Sequence, residues 1–427
     1  MKTSFFSFSL GCRVNMAEKE KFDRELLASG LLLDAKRPNI YIINSCVVTA
    51  KAERELRQLI YKVRRELPKT KIVVTGCGTT YWLTNDLGKS LPVDLLVVNK
   101  DKEKIVELIK NGSLLRPASD RSGRIRLTDK FTLSKRYLIK IQDGCNRFCS
   151  YCIVPYLRGL SKSKKIEEVV SEINYLNAGT KEVILTAINT EAFGLDTGEK
   201  FSDLISEVIE KTRIPRISFG SIHPLSINKE FNNFYKSYKD RNRLVNFFHI
   251  PIQSGSDKIL KLMKRGYTRK ELAEMLSELY KINPLSLIAT DIIVGFIGED
   301  DSDFADTVDF LQKTPINKFH VFRFSPRIKT AAYYLAKKIK APDEKTKKNR
   351  SQFLIELSKK KYLNFLRKHI GLKMTALFLD VRKDQHQKVL LENQIPIMVN
   401  SNKNLNGQIK KVTIDTIKNG QLFGKII

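Results

Sequence analysis

Short apolar runs alternate with stretches of helical periodicity through the first 340 residues of the chain. Ser4–Leu10, Ile40–Asn44, Ile72–Thr75 and Val93–Val98 read as strands, bounded by turn residues. Met16–Ser29, Ala50–Leu67 and Lys102–Lys110 space their apolar residues like helices, with Gly30 and Pro68 as stop signals. After a polar, basic connector near Arg116–Arg126 the alternation resumes. Strands are expected at Tyr137–Ile141, Glu182–Thr186, Arg216–Ser221, Asn246–Pro251, Ile288–Val294 and Phe319–Phe324. Helices are expected at Lys165–Asn177, Ser202–Lys211, Ser256–Met263, Arg269–Lys281 and Asp303–Gln312. Such alternation predicts parallel sheets with helices on their faces.

The pattern then changes. A basic helical stretch, Asp343–His369, leads into five strand-like runs: Met374–Asp380, Lys388–Leu391, Pro396–Val399, Gln408–Ile414 and Leu422–Ile427. Gly407, Asn419-Gly420 and Gly424 punctuate them, which predicts a small antiparallel barrel.

The six cysteines fall into two groups. Cys145, Cys149 and Cys152 share one loop in a C-x3-C-x2-C spacing, within IQDGCNRFCSYCIVPYLRG. Three thiolates are one short of a closed structural zinc site. The spacing also differs from the ferredoxin run. Three ligands on a four-iron cubane leave one iron open to a small molecule. Buried structural cysteines, or zinc with a distant fourth ligand, are the competing readings. Cys12, Cys46 and Cys77 each follow a predicted strand, on the turns GCRVN, NSCVVT and GCGTT. Strand carboxyl ends line one crevice in an open α/β sheet, so these three can meet there. Singly, each reads as a small buried residue; three in phase point to a second iron–sulfur cluster.

Charge narrows the choice of partner. Lys and Arg number 76 against 46 Asp and Glu, a formal net charge of +30, which points to a polyanion or an anionic membrane surface. From Ala341 onward there are 18 Lys and Arg against 7 Asp and Glu. No apolar run reaches the length of a membrane span. The opening MKTSFFSFSLGC imitates a lipoprotein signal, but its apolar run is short and broken by serines, and Arg13 follows. Cysteine usage excludes a disulfide scaffold, and iron–sulfur ligation needs reduced thiols, which places the chain in the cytoplasm.

C-x3-C-x-Tyr-C resembles the signature loop of radical S-adenosylmethionine (SAM) enzymes, with Tyr151 before the last cysteine. With GCRVN, NSCVV and GCG ahead of it, the chain resembles the methylthiotransferase family of that superfamily. The resemblance implies a 4Fe–4S cluster on Cys145, Cys149 and Cys152 that chelates SAM and cleaves it to a 5′-deoxyadenosyl radical. It implies an auxiliary 4Fe–4S cluster on Cys12, Cys46 and Cys77 that supplies or carries sulfur. HIPIQSGS, MKRGYT and DIIVGF-x-GE match further family motifs. By that match Gln253 and Ser254 touch the SAM ribose or carboxylate, and the Gly295–Gly298 loop shapes the adenine pocket. Arg158 is expected to face a phosphate or a carboxylate. His223 and His249 read as hydrogen-bonded structural histidines. The sequence departs from the family at Ser45, Gly78-Thr79-Thr80, Ala187, Thr190-Glu191 and Ile297, and has Lys162 and Lys164 where Arg is usual.

The implied fold class is α/β in three parts. Residues 1–125 form a doubly wound parallel-sheet domain for the auxiliary cluster, and 126–340 a partial (βα)6 radical SAM core. Residues 341–365 form a helical linker, and 366–427 a TRAM-like β-barrel that binds RNA. The implied reaction installs a methylthio group at C2 of an adenosine in the anticodon stem-loop of tRNA. IQDGCN, LGC-x-VN and the AIN segment favour N6-threonylcarbamoyladenosine at position 37. The family also includes enzymes acting on N6-isopentenyladenosine and on an aspartate of a ribosomal protein. The implied partners are tRNA, an electron donor such as flavodoxin or ferredoxin, and a sulfur source, with no membrane. Outside the family, an iron–sulfur electron carrier or a non-catalytic RNA-binding protein with structural clusters would also use these cysteines.

Overall fold

The computed structural model of the chain describes residues 3–87, 90–111, 135–176, 179–238 and 243–427. The connector near Arg116–Arg126 and the 125/126 boundary lie outside them. Among the described residues no helix is long and apolar enough to cross a membrane.

The N-terminal sheet holds β1 (Ser4–Ser9), β2 (Leu32–Leu33), β3 (Ile40–Ser45), β4 (Lys71–Gly76) and β5 (Leu95–Val97). All are parallel, in the order β2-β1-β3-β4-β5. Successive side chains point to opposite faces. Ile40, Ile42 and Val73 meet Phe22 and Leu26 of the helix Arg13–Ala28. Ile43, Ile72 and Val74 meet Leu56, Ile60 and Val63 of the helix Ala50–Glu66. Helices on both faces make the sheet doubly wound, as the pattern predicts. The edge strand β2 and a short helix, Cys77–Thr84, are additions to that pattern.

The central sheet contains β6 (Arg136–Asp143), β7 (Lys162–Ser163), β8 (Glu182–Ala187), β9 (Arg216–Phe219), β10 (Phe247–His249), β11 (Leu287–Val294) and β12 (Lys318–Arg323). β6, β8 and β9 are parallel neighbours, as are β10, β11 and β12. The two sets meet where Ile217 pairs with Leu244 just before β10. Six parallel strands thus form an open partial barrel, with a seam at β9/β10 in place of a full ladder. β7 is an extra strand, antiparallel to β6, that returns the cysteine loop to the sheet. The helix Lys229–Tyr238 is poorly signalled by its sequence KEFNNFYKSY. It forms because Phe231, Phe234 and Tyr235 bury in the core, which outweighs the weak helix preference of Asn and Ser.

The helix Glu344–Arg367 packs along β12: Leu354 joins the central core, and Ser358 Oγ bonds both the N–H and the carbonyl of Phe319. Beyond it β13 (Lys373–Lys383), β14 (His386–Leu391), β15 (Pro396–Asn400), β16 (Ile409–Lys418) and β17 (Gln421–Ile426) close into a barrel, ordered β13-β14-β15-β17-β16. The barrel departs from a purely antiparallel one, since β15 and β17 are parallel. Strand directions cannot alternate all the way round a ring with an odd number of strands, so one parallel pair is unavoidable.

The barrel docks on the amino-terminal ends of the central strands. Gln394 Nε2 bonds Glu182 Oε1 at 2.6 Å, and Arg216 Nη2 bonds the Leu391 carbonyl at 2.9 Å. Asn393 Nδ2 reaches the Leu285 carbonyl at 2.8 Å. The cysteine loop leaves the opposite end of β6.

Candidate active site

Each N-terminal cysteine sits where a parallel strand stops, because backbone pairing ends there and a turn must follow. Gly11, with φ 89°, precedes Cys12, and a Cβ on it would lie 2.4 Å from Cys46 Cβ. Only glycine lets these two turns approach so closely. Asn15 fixes their relative position: its Nδ2 donates to the Leu10 carbonyl at 2.9 Å and the Ser45 carbonyl at 3.0 Å. Ser45 Oγ bonds the Thr75 carbonyl and accepts from Gly78 N at 3.0 Å, tying the end of β3 to that of β4. The departure at Gly78-Thr79-Thr80 has a local account. These residues form the first turn of the helix Cys77–Thr84, and a Cβ on Gly78 would lie 2.6 Å from Ser45 Oγ.

Cys12 is exposed, Cys46 and Cys77 are buried, and none is in a disulfide. Burial pushes the Cys46 thiol up to about 12, and the neighbouring Cys77 and Cys12 sulfurs add to the rise. Asn99 Nδ2 donates to Cys77 Sγ at 3.6 Å. Three reduced thiols from three strand ends, with an amide N–H aimed at one sulfur, fit a metal cluster. Such binding must release the thiol protons.

The second triad lies on the loop after β6. Gly144 has φ 69°, and a Cβ there would collide with the Leu160 carbonyl oxygen at 2.0 Å, so the loop's two limbs press backbone on backbone. Cys149 is buried, while Cys145 and Cys152 are half-buried. Burial, then the neighbouring Cys149, pushes the Cys152 thiol up to about 12. Asn189 Nδ2 donates to Cys145 Sγ at 3.7 Å and Arg265 Nη1 to Cys149 Sγ at 3.3 Å. Donors on two sulfurs and one short loop of three free thiols also fit a cluster.

Arg265 is nearly buried; its guanidinium bonds Tyr267 OH at 2.6 Å and the Pro251 carbonyl at 2.9 Å, and lies 3.4 Å from Tyr151 OH. It belongs to MKRGYT, a segment whose pattern assigns this arginine no role. Beside it, burial and then Arg265 and Arg147 push His223 down to about 2, so its ring is neutral. Nδ1 accepts from Leu225 N, which places the proton on Nε2, and Nε2 is buried without a partner among the described residues.

The expected SAM contacts separate. Tyr151 packs edge-on against Phe296, ring centroids 6.5 Å apart. Gln253 has φ 75°, unusual for a non-glycine residue, and its backbone bonds Asp291 and Ile293. Ser254 is buried, with Oγ 3.3 Å from Thr307 Oγ1. At Gly295 (φ 71°) a Cβ would lie 2.3 Å from Lys347 Cγ, so this glycine makes room for the helix Glu344–Arg367. Ile297 is fully buried with Phe296, Ile259 and Met263, behind Tyr151.

The two triads are joined by the helix Val154–Arg158. Ile153 and Leu157 pack with Cys77, Tyr81 and Trp82. Asn99 Nδ2, which faces Cys77, also donates to the Leu157 carbonyl at 2.9 Å. Arg158, 2% exposed, bonds Asn15 Oδ1 at 2.5 Å, Glu18 Oε1 at 3.0 Å and Asp143 Oδ1 at 2.7 Å. It faces carboxylates, as expected for one of its two options. Glu18 also takes Lys102 at 2.7 Å and Lys140 at 3.3 Å. Burial opposes its charge, but Lys102, Arg158 and Lys140 hold the carboxyl well below its ordinary range. No motif signals Lys102, Glu18 or Asn99. Glu18 reaches Lys140 because the helix Arg13–Ala28 packs against the central sheet, where Ala17 meets Leu138 and Ile184.

Residues 139–311 match the radical SAM superfamily, and residues 4–98 match the uncharacterized protein family UPF0004. The chain is 33% identical over 413 residues to threonylcarbamoyladenosine tRNA methylthiotransferase MtaB of Aquifex aeolicus, covering 93% of this chain and 96% of that protein. It is 31% identical to tRNA-2-methylthio-N(6)-dimethylallyladenosine synthase of Petrotoga mobilis, covering 99% of each. Among solved structures, the radical SAM methyltransferase TsrM of Kitasatospora setae, with cobalamin and a [4Fe–4S] cluster bound, aligns with TM-score 0.53 at 14% identity. That alignment covers 79% of this chain and 78% of TsrM, a likeness of fold.

Proposed function

The chain belongs to the radical SAM methylthiotransferase family, and on that basis we propose its substrate and the use of its two cysteine triads. It is a tRNA-modifying enzyme with SAM and 4Fe–4S clusters as cofactors. Its substrate is N6-threonylcarbamoyladenosine at position 37 of tRNA, and the product carries a methylthio group at C2. Cys145, Cys149 and Cys152 hold the cluster that binds SAM; Cys12, Cys46 and Cys77 hold the auxiliary cluster that provides sulfur.

The observation that carries this reading is that both triads follow strand carboxyl ends and are joined by one five-residue helix, Val154–Arg158, hydrogen-bonded to Asn99 and Asn15. When bound, cluster and SAM supply a radical able to attack an aromatic C–H bond, which resists acid–base chemistry. The chain's own residues bind and orient. Asn189 and Arg265 donate to cluster sulfurs, and Tyr151 backs the loop. Gln253, strained and with no side-chain hydrogen bond among the described residues, is a SAM contact. His223 Nε2–H is a second donor in want of an acceptor.

The C-terminal barrel, residues 366–427, grips RNA by charge. It sits at the far ends of the central strands, so bound RNA spans roughly 20 Å to bring position 37 to the cysteine loop. An electron donor such as flavodoxin or ferredoxin and a sulfur source complete the cycle, and the cytoplasm, where tRNA is found, is the working compartment.

Mass spectrometry of tRNA nucleosides from cells with and without the gene tests the substrate. Loss of 2-methylthio-N6-threonylcarbamoyladenosine, with accumulation of its precursor, is the expected result. Loss of the isopentenyl analogue would instead assign the branch of the Petrotoga mobilis relative. No change in any nucleoside would overturn the tRNA reading.

A further inference from the structure

Three strands of the central barrel place His249, Asp291 and His320, none of them a cysteine ligand, on one face. Asp291 on β11 pairs directly with His320 on β12. His249 on β10 pairs with Ala289, which shares the Asp291 face by alternation. Ile288 and Ile292 point the other way, into the core under the helices, so the three polar residues line the inner face of the open barrel.

Their ligand atoms lie within 4.8 Å of one another. His249 Nε2 is 3.0 Å and His320 Nδ1 3.2 Å from the same oxygen, Asp291 Oδ1. Protein nitrogens and oxygens bind zinc-like ions at about 2.0–2.2 Å, which puts neighbouring donors about 3.0–3.4 Å apart. The two spacings to Asp291 fall in that interval. His249 Nδ1 is 2.7 Å from Ser221 Oγ. A hydroxyl that accepts from Nδ1–H leaves the Nε2 lone pair free for a metal and fixes the ring, the usual support of a histidine ligand.

We propose that His249, Asp291 and His320 form a binding site for a divalent first-row transition metal, separate from the iron–sulfur clusters. Two imidazoles and one carboxylate suit such an ion better than calcium or magnesium. Three protein ligands leave positions for water or another oxygen donor, and His320, 51% exposed, marks the open side. His249 is then more than the structural histidine its sequence context suggests. The site does not depend on which adenosine is modified.

The test is a Mn2+ titration, followed by electron paramagnetic resonance, of the anaerobically reconstituted holoenzyme with its clusters in the diamagnetic state. Mn2+ is chosen because it does not seek thiolate sulfur. The wild type should bind a single tight equivalent, displaced by Zn2+ in line with the usual affinity order. Asp291→Asn and His320→Ala should lose it, and Ser221→Ala should weaken it about tenfold. Unchanged cluster absorbance in each variant shows that the fold is intact. Absence of a tight equivalent, or one that survives Asp291→Asn and His320→Ala, would overturn the site and leave a hydrogen-bonded array.

Discussion

Arg158 Nη2 donates to Asn15 Oδ1 at 2.5 Å, across 143 positions of sequence. Asn15 lies in the first turn of the helix that Cys12 caps, and Arg158 ends the helix that follows Cys152. The bond therefore locks the two cysteine triads to each other, and the charged groups around it decide how firmly.

Arg158→Met should separate the triads. Glu18 keeps Lys102 and Lys140, and Asp143 keeps Lys140, so neither carboxylate is stranded, but both lose their shared cation. A loss of about 2 kcal/mol is expected in urea unfolding, the size of a hydrogen bond to a charged group.

Iron content should divide by triad. Cys12→Ala, Cys46→Ala and Cys77→Ala should each remove about four iron atoms per chain. They should abolish methylthiolation while 5′-deoxyadenosine still forms from SAM. Cys149→Ala should remove a similar amount of iron and stop SAM cleavage itself. Iron analysis and product chromatography on the same samples separate the two outcomes.

A pair of glycine variants tests the close approach of the Cys12 and Cys46 turns. Gly11 and Gly30 both have positive φ, 89° and 87°, and alanine strains both backbones. Only at Gly11 does the added Cβ meet anything, the Cys46 side chain; at Gly30 the space is open. Gly11→Ala should lower auxiliary iron, whereas Gly30→Ala should cost about 1 kcal/mol and leave iron unchanged.

Acid should weaken the docking of the C-terminal barrel. Burial alone would raise the pKa of Glu182. Arg216 and Arg136, with hydrogen bonds from Arg136 and Ser218, outweigh it and bring the carboxyl from 4.5 to about 2. Its folded value is depressed, so its contribution is full above pH 4.5 and fades as pH falls toward 2, about 3 kcal/mol in all. Glu182→Gln should be less stable at neutral pH and show a flatter decline of melting temperature with acid.

RNA affinity should fall steeply with salt. Lys135, Lys181 and Lys410 line a groove between the core and the barrel. Replacing all three with Ala should weaken tRNA binding and reduce the slope of log affinity against log salt by about 2, or about 0.7 for each phosphate no longer neutralised. A slope that does not change would place the RNA elsewhere.

The elements and the grouping of the cysteines could be read directly along the chain. Strands and helices are short-range patterns, and a cysteine after a strand or a C-x3-C-x2-C loop keeps its spacing whatever surrounds it. The three-part fold and the two triads were therefore legible, down to the helix Ala50–Glu66 and the barrel strands. What meets what was settled only by packing in three dimensions. Lys102 and Glu18 are 84 positions apart, and Asn99 reaches both Cys77 and Leu157, contacts that exist only once distant elements pack together. The neighbours of Ser254 and Gly295 were likewise set by packing: one bonds Thr307 and the other admits Lys347, because a loop residue's surroundings depend on the helix beside it. His249, Asp291 and His320 carry no joint spacing signal at all. Three parallel strands, separated from one another by helices, bring them together on one inner face.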